Sequence, residues 1–73
     1  MAKGNYYYKR LGNNIKKHRR KRCLSQEQLA FLSGVDRSYL AEVETGKANP
    51  SVRFLHKLSN TLKIKINSCL KNL

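Results

Sequence analysis

Four capping residues leave one stretch of this chain little choice of shape. Ser25, followed three residues later by Gln28, reads as a capping box, so a helix begins there with Ser25 as its N-cap. Gly34 ends that helix, because glycine takes the left-handed backbone without a Cβ penalty. Asp36 is a natural N-cap for a second helix, over about Asp36 to Thr45, with Gly46 as its C-cap. Each helix is about two and a half turns long, and a short Gly-containing turn joins them, which is the helix-turn-helix layout. The side chains suit it. Ala30 is small enough for the second helix to cross closely. Leu29, Val35, Leu40 and Val43 face a core and fix the crossing angle, and Leu29, Ala30 and Leu32 form the apolar face of the first helix.

Three more helices fit around this pair, and no strand is convincing. One runs from about Tyr7 to Arg22, with Leu11, Ile15 and His18 on one face and a basic remainder. Residues 1–6 read as a loose basic arm. After the loop Lys47-Ala48-Asn49-Pro50, Ser51 caps a helix over Val52 to Leu62 with the inner stripe Val52, Leu55, Leu58 and Leu62. A short helix over Asn67 to Leu73 follows. Ile66, Cys69, Leu70 and Leu73 make this tail apolar enough to pack or to pair with another copy. The expectation is one all-α, five-helix domain spanning residues 1–73, with no room for a separate catalytic or ligand-sensing domain.

Charge then narrows the partner. Sixteen Lys and Arg against four acids give a formal net charge of +12. Such a surplus destabilises a compact domain unless a polyanion neutralises it, and nucleic acid is the leading polyanion. The acids Glu27, Asp36, Glu42 and Glu44 all lie in the central stretch, while both flanks are purely basic. Cys23 and Cys69 form no Cys-x-x-Cys pair and have no His at zinc-ligand spacing, so free thiols in a reducing cytoplasm are expected, with no metal and no cofactor. Nothing resembles a signal peptide or a membrane span. Cys23, Cys69, His18 and His56 are scattered, and no acidic pair suggests acid–base work, so an enzyme is not expected.

The strings LGNNIKKHRRKR, LSQEQLAFLSGVDRSYLAEVETGKANPS and FLHKLSNTLKI resemble the Cro and phage-repressor (Xre-type) helix-turn-helix family, and within it the controller proteins of restriction-modification systems. The resemblance covers about Leu11 to Leu70 and implies a lambda-repressor-like fold. It implies base reading from Arg37, Ser38 and Glu42. Chemically, Arg can grip guanine with two hydrogen bonds, Ser can meet several bases and Glu can accept from cytosine. It further implies phosphate or backbone contacts from Gln26, Tyr39, Thr45, Lys47, Asn49 and Arg53, with Gln26 also bracing the recognition helix. A structural ion pair between Arg19 and Glu44 is implied too. Two positions depart from the family pattern: His18 stands where an apolar residue is usual, and Cys23 where glycine is usual.

The resulting expectation is a sequence-specific transcriptional regulator of double-stranded DNA. It would act as a homodimer on a two-fold symmetric operator, with Ile66, Cys69, Leu70 and Leu73 at the dimer contact. No small-molecule effector and no membrane partner are expected. The alternative is the antitoxin of a toxin–antitoxin pair. An RNA-binding role would call for exposed aromatics beside the cations or a strand platform, and neither is evident.

Overall fold

The structure, a computed structural model, describes residues 3–73. It contains α1 (Lys3–Lys21), α2 (Gln26–Ser33), α3 (Arg37–Glu44), α4 (Val52–Leu62) and α5 (Ile66–Cys69), with no strand among the described residues. The all-helical, five-helix expectation matches. No helix is long and apolar enough to cross a membrane.

The expected start signals are all in place. Ser25 accepts from the Gln28 amide while the Gln28 side chain accepts from the Ser25 amide, completing the capping box. Asp36 accepts from the Tyr39 amide at 2.8 Å and Ser51 from the Phe54 amide at 3.1 Å. Each satisfies one of the amides that a helix start leaves without an internal partner. The stops are equally regular. α2 closes with Val35 donating to Ala30 and Gly34 to Phe31, the paired bonds of a Schellman turn. The same pair closes α3, from Lys47 to Glu42 and from Gly46 to Val43. Gly46 is thus the left-handed residue just past the helix, at φ 80°, and Thr45 holds the C-cap position expected of Gly46.

The core is built from Leu11, Ile15, Leu29, Ala30, Leu40, Val43, Phe54, Leu55, Leu58, Leu62 and Cys69. Two expected members are outside it. Leu32 is 59% exposed and Val52 63%. In α2 the inward face is centred between Leu29 and Ala30, and at about 100° per residue Gln26 and Ser33 share it while Leu32 does not. Those two polar residues earn their place by specific bonds; Ser33 Oγ donates to Thr61 Oγ1 on α4 at 2.9 Å. Val52 is the first residue of α4, at the margin of the core, and Phe54 packs inside instead.

Both ends of the chain differ from expectation. The loose arm expected at residues 1–6 is helical from Lys3, and Met1 and Ala2 lie outside the described residues. Tyr8 packs against the core, and the Arg10 guanidinium lies over the Tyr6 ring, 4.8 Å from its centroid. Those contacts favour extending the helix over leaving the segment free. The C-terminal helix is one turn, Ile66–Cys69, in place of Asn67 to Leu73, because Leu70 already leaves helical hydrogen bonding. Cys69 is fully buried within the single chain, so it is a core residue and has no surface to give to a dimer contact.

Candidate nucleic-acid interface

α3 has two faces with opposite characters. Leu40, Val43 and Glu44 are buried, whereas Arg37, Ser38 and Glu42 are exposed. At helical spacing the three exposed residues fall within one outward arc of about 140°. They carry a guanidinium, a hydroxyl and a carboxylate side by side.

The clamp behind that face is polar. Arg19 of α1 donates from Nε to Glu44 Oε2 at 2.7 Å and from Nη2 to Glu44 Oε1 at 3.0 Å. Its Nη1 donates to the Leu24 carbonyl at 2.7 Å, just ahead of α2. Gln26, the first residue of α2, donates from Nε2 to Glu44 Oε1 at 3.0 Å. One carboxylate thereby ties the end of α3 to α1 and to the start of α2. The two-pronged guanidinium–carboxylate geometry fixes orientation as well as distance. No buried side-chain nitrogen or oxygen among the described residues lacks a partner, so the buried pair is fully satisfied.

Gly12 was not singled out from sequence, although it decides how close α1 comes to α3. A Cβ built there would stand 2.3 Å from the Val43 carbonyl oxygen and 2.6 Å from that of Glu44. Only glycine lets α1 lie against the carbonyls that end α3. Its sequence signal is weak: a glycine inside an otherwise helical pattern, one residue after an apolar position.

Of the residues expected to touch phosphate, Lys47, Asn49 and Arg53 are exposed around the α3–α4 loop and the start of α4. Tyr39 is half-buried, edge-on to Phe54 at 5.0 Å between centroids, with its hydroxyl 3.4 Å from the Asn49 carbonyl. It joins α3 to the loop. Thr45 is exposed, but its hydroxyl turns back to the Ala41 and Glu42 carbonyls, both at 3.1 Å. Its hydrogen is already committed inside α3. Lys57 was not anticipated; one turn beyond Arg53, it lines the same open cleft beside Val35 and Tyr39. His18 is half-buried, and burial with Lys21, Lys17 and Lys71 nearby pushes its pKa below 6.5. Among the described residues no group of three or more His, Cys, Asp and Glu side chains could hold a metal ion.

Residues 15–68 match the family model described as Helix-turn-helix, HTH_3. The chain belongs to the HTH_3 helix-turn-helix family. The match starts within α1 and ends in α5, so it includes the clamp, the exposed face of α3 and the loop beyond it. HTH_3 relatives include the transcriptional regulator SlrR of Bacillus subtilis, 44% identical over 57 residues, which span 77% of this chain and 38% of SlrR. The restriction-modification controller protein C.AhdI of Aeromonas hydrophila is 40% identical with a TM-score of 0.83, covering 85% of this chain and 94% of that one. A structure of the regulator SinR in complex with DNA is 35% identical with a TM-score of 0.79, covering 84% of this chain and 98% of that one. The Xre-type family expected from the residues is the family found, controllers included. The chain spans less than two thirds of the length of the curated regulators it first matches.

Proposed function

We propose that this chain is a DNA-binding transcriptional regulator that places α3 in the major groove and works in the cytoplasm as a homodimer on a two-fold symmetric operator. One observation carries the reading: Arg37, Ser38 and Glu42 are exposed together on a helix whose other face is clamped by Leu40, Val43 and Glu44. A rigid helix with an exposed polar edge is what major-groove reading requires. Arg37 is the guanine reader, Ser38 a second base contact, and Glu42 an acceptor for cytosine. Lys47, Asn49 and Arg53, with the Tyr39 edge and the start of α2 at Gln26, grip phosphate and set register without reading sequence. Thr45, whose hydroxyl and backbone N–H both donate to carbonyls inside α3, is not assigned a phosphate contact.

Dimerisation is supported by Leu70 and Leu73, which remain 39% and 36% exposed beside the half-buried Ile66. One recognition helix also covers too little duplex for useful specificity, and a two-fold pair would place half-sites about 34 Å apart. Selection of bound sequences from random duplexes, followed by footprinting, tests the reading. A palindromic site protected over two half-sites on one face of the duplex is expected. Leu70→Glu should abolish that protection and give a monomer in sedimentation; truncating the tail would not be equivalent, because Cys69 anchors the core. Recovery of no preferred sequence would contradict the proposal.

A further inference from the structure

A second set of residues converges elsewhere on the molecule, roughly 140° around α1 from the side that Gly12, Ile15 and Arg19 turn toward α3. Asn14 Nδ2 donates to the carbonyls of Cys69 and Lys71, both at 2.9 Å, and Arg10 Nη1 donates to the carbonyl of Asn72 at 2.8 Å. These bonds staple the C-terminal turn to α1. The staple holds Lys71 and Ser68 across a cleft of about 190 Å³ from Lys17, His18 and Lys21. Three lysines, a histidine and a serine thus line one concave space.

Among the described residues no Asp or Glu side chain lines this cleft. Glu27 lies in α2, Asp36 and Glu42 at α3, and Glu44 is buried against Arg19. Lysines on an ordinary solvated face spread apart; here the bonds from the Asn14 and Arg10 side chains to carbonyls hold one from the C-terminal turn across the cleft from two on α1. The cost shows on His18, whose protonation is opposed first by burial and then by Lys21 and Lys17 on its own helix and Lys71 on the facing turn. Like charges gathered in a concavity are relieved by an anion that brings several acceptors at once.

We propose that this cleft binds a phosphate group, with Lys17, Lys21 and Lys71 supplying charge, Ser68 a hydroxyl donor and His18 a donor that gains a proton as the anion enters. A phosphate presents several strong acceptor oxygens and close to two negative charges, which suits this number of donors better than a single carboxylate does. The group has two sources, a free phosphorylated compound or the backbone of a duplex, and the chemistry is shared. Protonation and anion binding favour each other, so for an anion of constant charge the site tightens as pH falls through the histidine range, which burial and the three lysines shift downward in the free protein. The proposal does not rest on α3 reading DNA.

NMR on the full chain tests it, with resonances of the His18 ring and the Ser68 amide followed during titration with inorganic phosphate and sulfate against sodium chloride at matched ionic strength. Saturable shifts confined to the neighbourhood of His18, Ser68 and Lys71 are expected. Sulfate, whose charge is constant over the range, should bind more tightly near pH 6 than near pH 8. A Lys17→Gln/Lys71→Gln variant, altered only at exposed side chains, should weaken both anions by about tenfold while its other resonances stay in place. A duplex titration separates the sources. If the backbone is the source, duplex moves the same resonances and the variant reduces the salt slope by about two per protomer. If a free phosphate compound is the source, duplex leaves them unmoved and the slope is unchanged while phosphate still saturates. Shifts no larger than those from sodium chloride, or a double variant that binds the anions as well as the native chain, would overturn the proposal.

Discussion

Gly34 and Gly46 close α2 and α3, whereas Cys23 and Lys63 close α1 and α4. All four residues hold left-handed backbone, with φ of 70° and 80° for the glycines and 57° and 56° for the other two. All four ends also carry the same paired bonds. At α1 these run from Leu24 to Arg19 and from Cys23 to Arg20; at α4 they run from Ile64 to Ser59 and from Lys63 to Asn60. The geometry is shared and the cost is not. A residue with a Cβ pays roughly 1–2 kcal/mol in this conformation, and glycine does not. The pair that presents the exposed polar face is therefore shaped by its own local signals. The helices that support it end against resistance and are held from outside. Arg22 Nε donates to the Leu62 carbonyl at 3.0 Å, joining the two strained ends, and Arg19 reaches the Leu24 carbonyl beside the first of them.

The largest expected effect comes from the carboxylate that orients Arg19, the residue that also reaches the first of those ends. Glu44→Ala leaves the Arg19 guanidinium, only 10% exposed, without its carboxylate. Stripping one partner from a buried pair costs about 3–5 kcal/mol, and urea unfolding should show a loss of that order. Gly12→Ala comes next. Helix propensity alone favours alanine by about 1 kcal/mol, but the added methyl meets two backbone carbonyls that cannot swing away, and overpacking of this kind costs about 1–3 kcal/mol. A net loss is expected, with α3 displaced from α1 in amide exchange. Gly34→Ala should cost about 1–2 kcal/mol for the left-handed backbone alone, since a Cβ there meets nothing within 4 Å. The smallest effect has the opposite sign. Cys23→Gly should stabilise the chain by about 0.5–1 kcal/mol, raising the thermal midpoint by a few degrees. A stabilising Gly34→Ala or a destabilising Cys23→Gly would break the comparison.

The same contrast explains how much could be read from the sequence. Ser25, Gln28, Gly34, Asp36 and Ser51 act through neighbours a few residues away, so their roles were visible in order and spacing. The ion pair of Arg19 and Glu44 links residues far apart in the chain. Only the family resemblance pointed to it, since Arg19 by itself is one cation in a run of them. Leu32 was misplaced because apolar spacing was counted from Leu29, while the true inner face of α2 carries the polar Gln26 and Ser33. Those two sit inward for the bonds they make with Glu44 and Thr61, and hydrophobic periodicity has no term for that. Gly12 and the helical start at Lys3 depend on what lies against them, namely the carbonyls of Val43 and Glu44 and the core around Tyr8. The exposed edge of α3 at Arg37, Ser38 and Glu42 follows from the register of one short helix, whereas the base-reading role proposed for it came only from the family resemblance.

Duplex affinity of the native chain, Arg37→Ala and Lys47→Ala, measured on the selected operator and on a scrambled duplex at two salt concentrations, tests the role of α3 most directly. Arg37→Ala is expected to lose about 1–3 kcal/mol per half-site on the operator and little on the scrambled duplex. Lys47→Ala should weaken both alike and flatten the salt dependence by about one ion per half-site. If both variants lost equally on the two duplexes, the exposed edge of α3 would be holding DNA without reading it, contrary to the role assigned to Arg37.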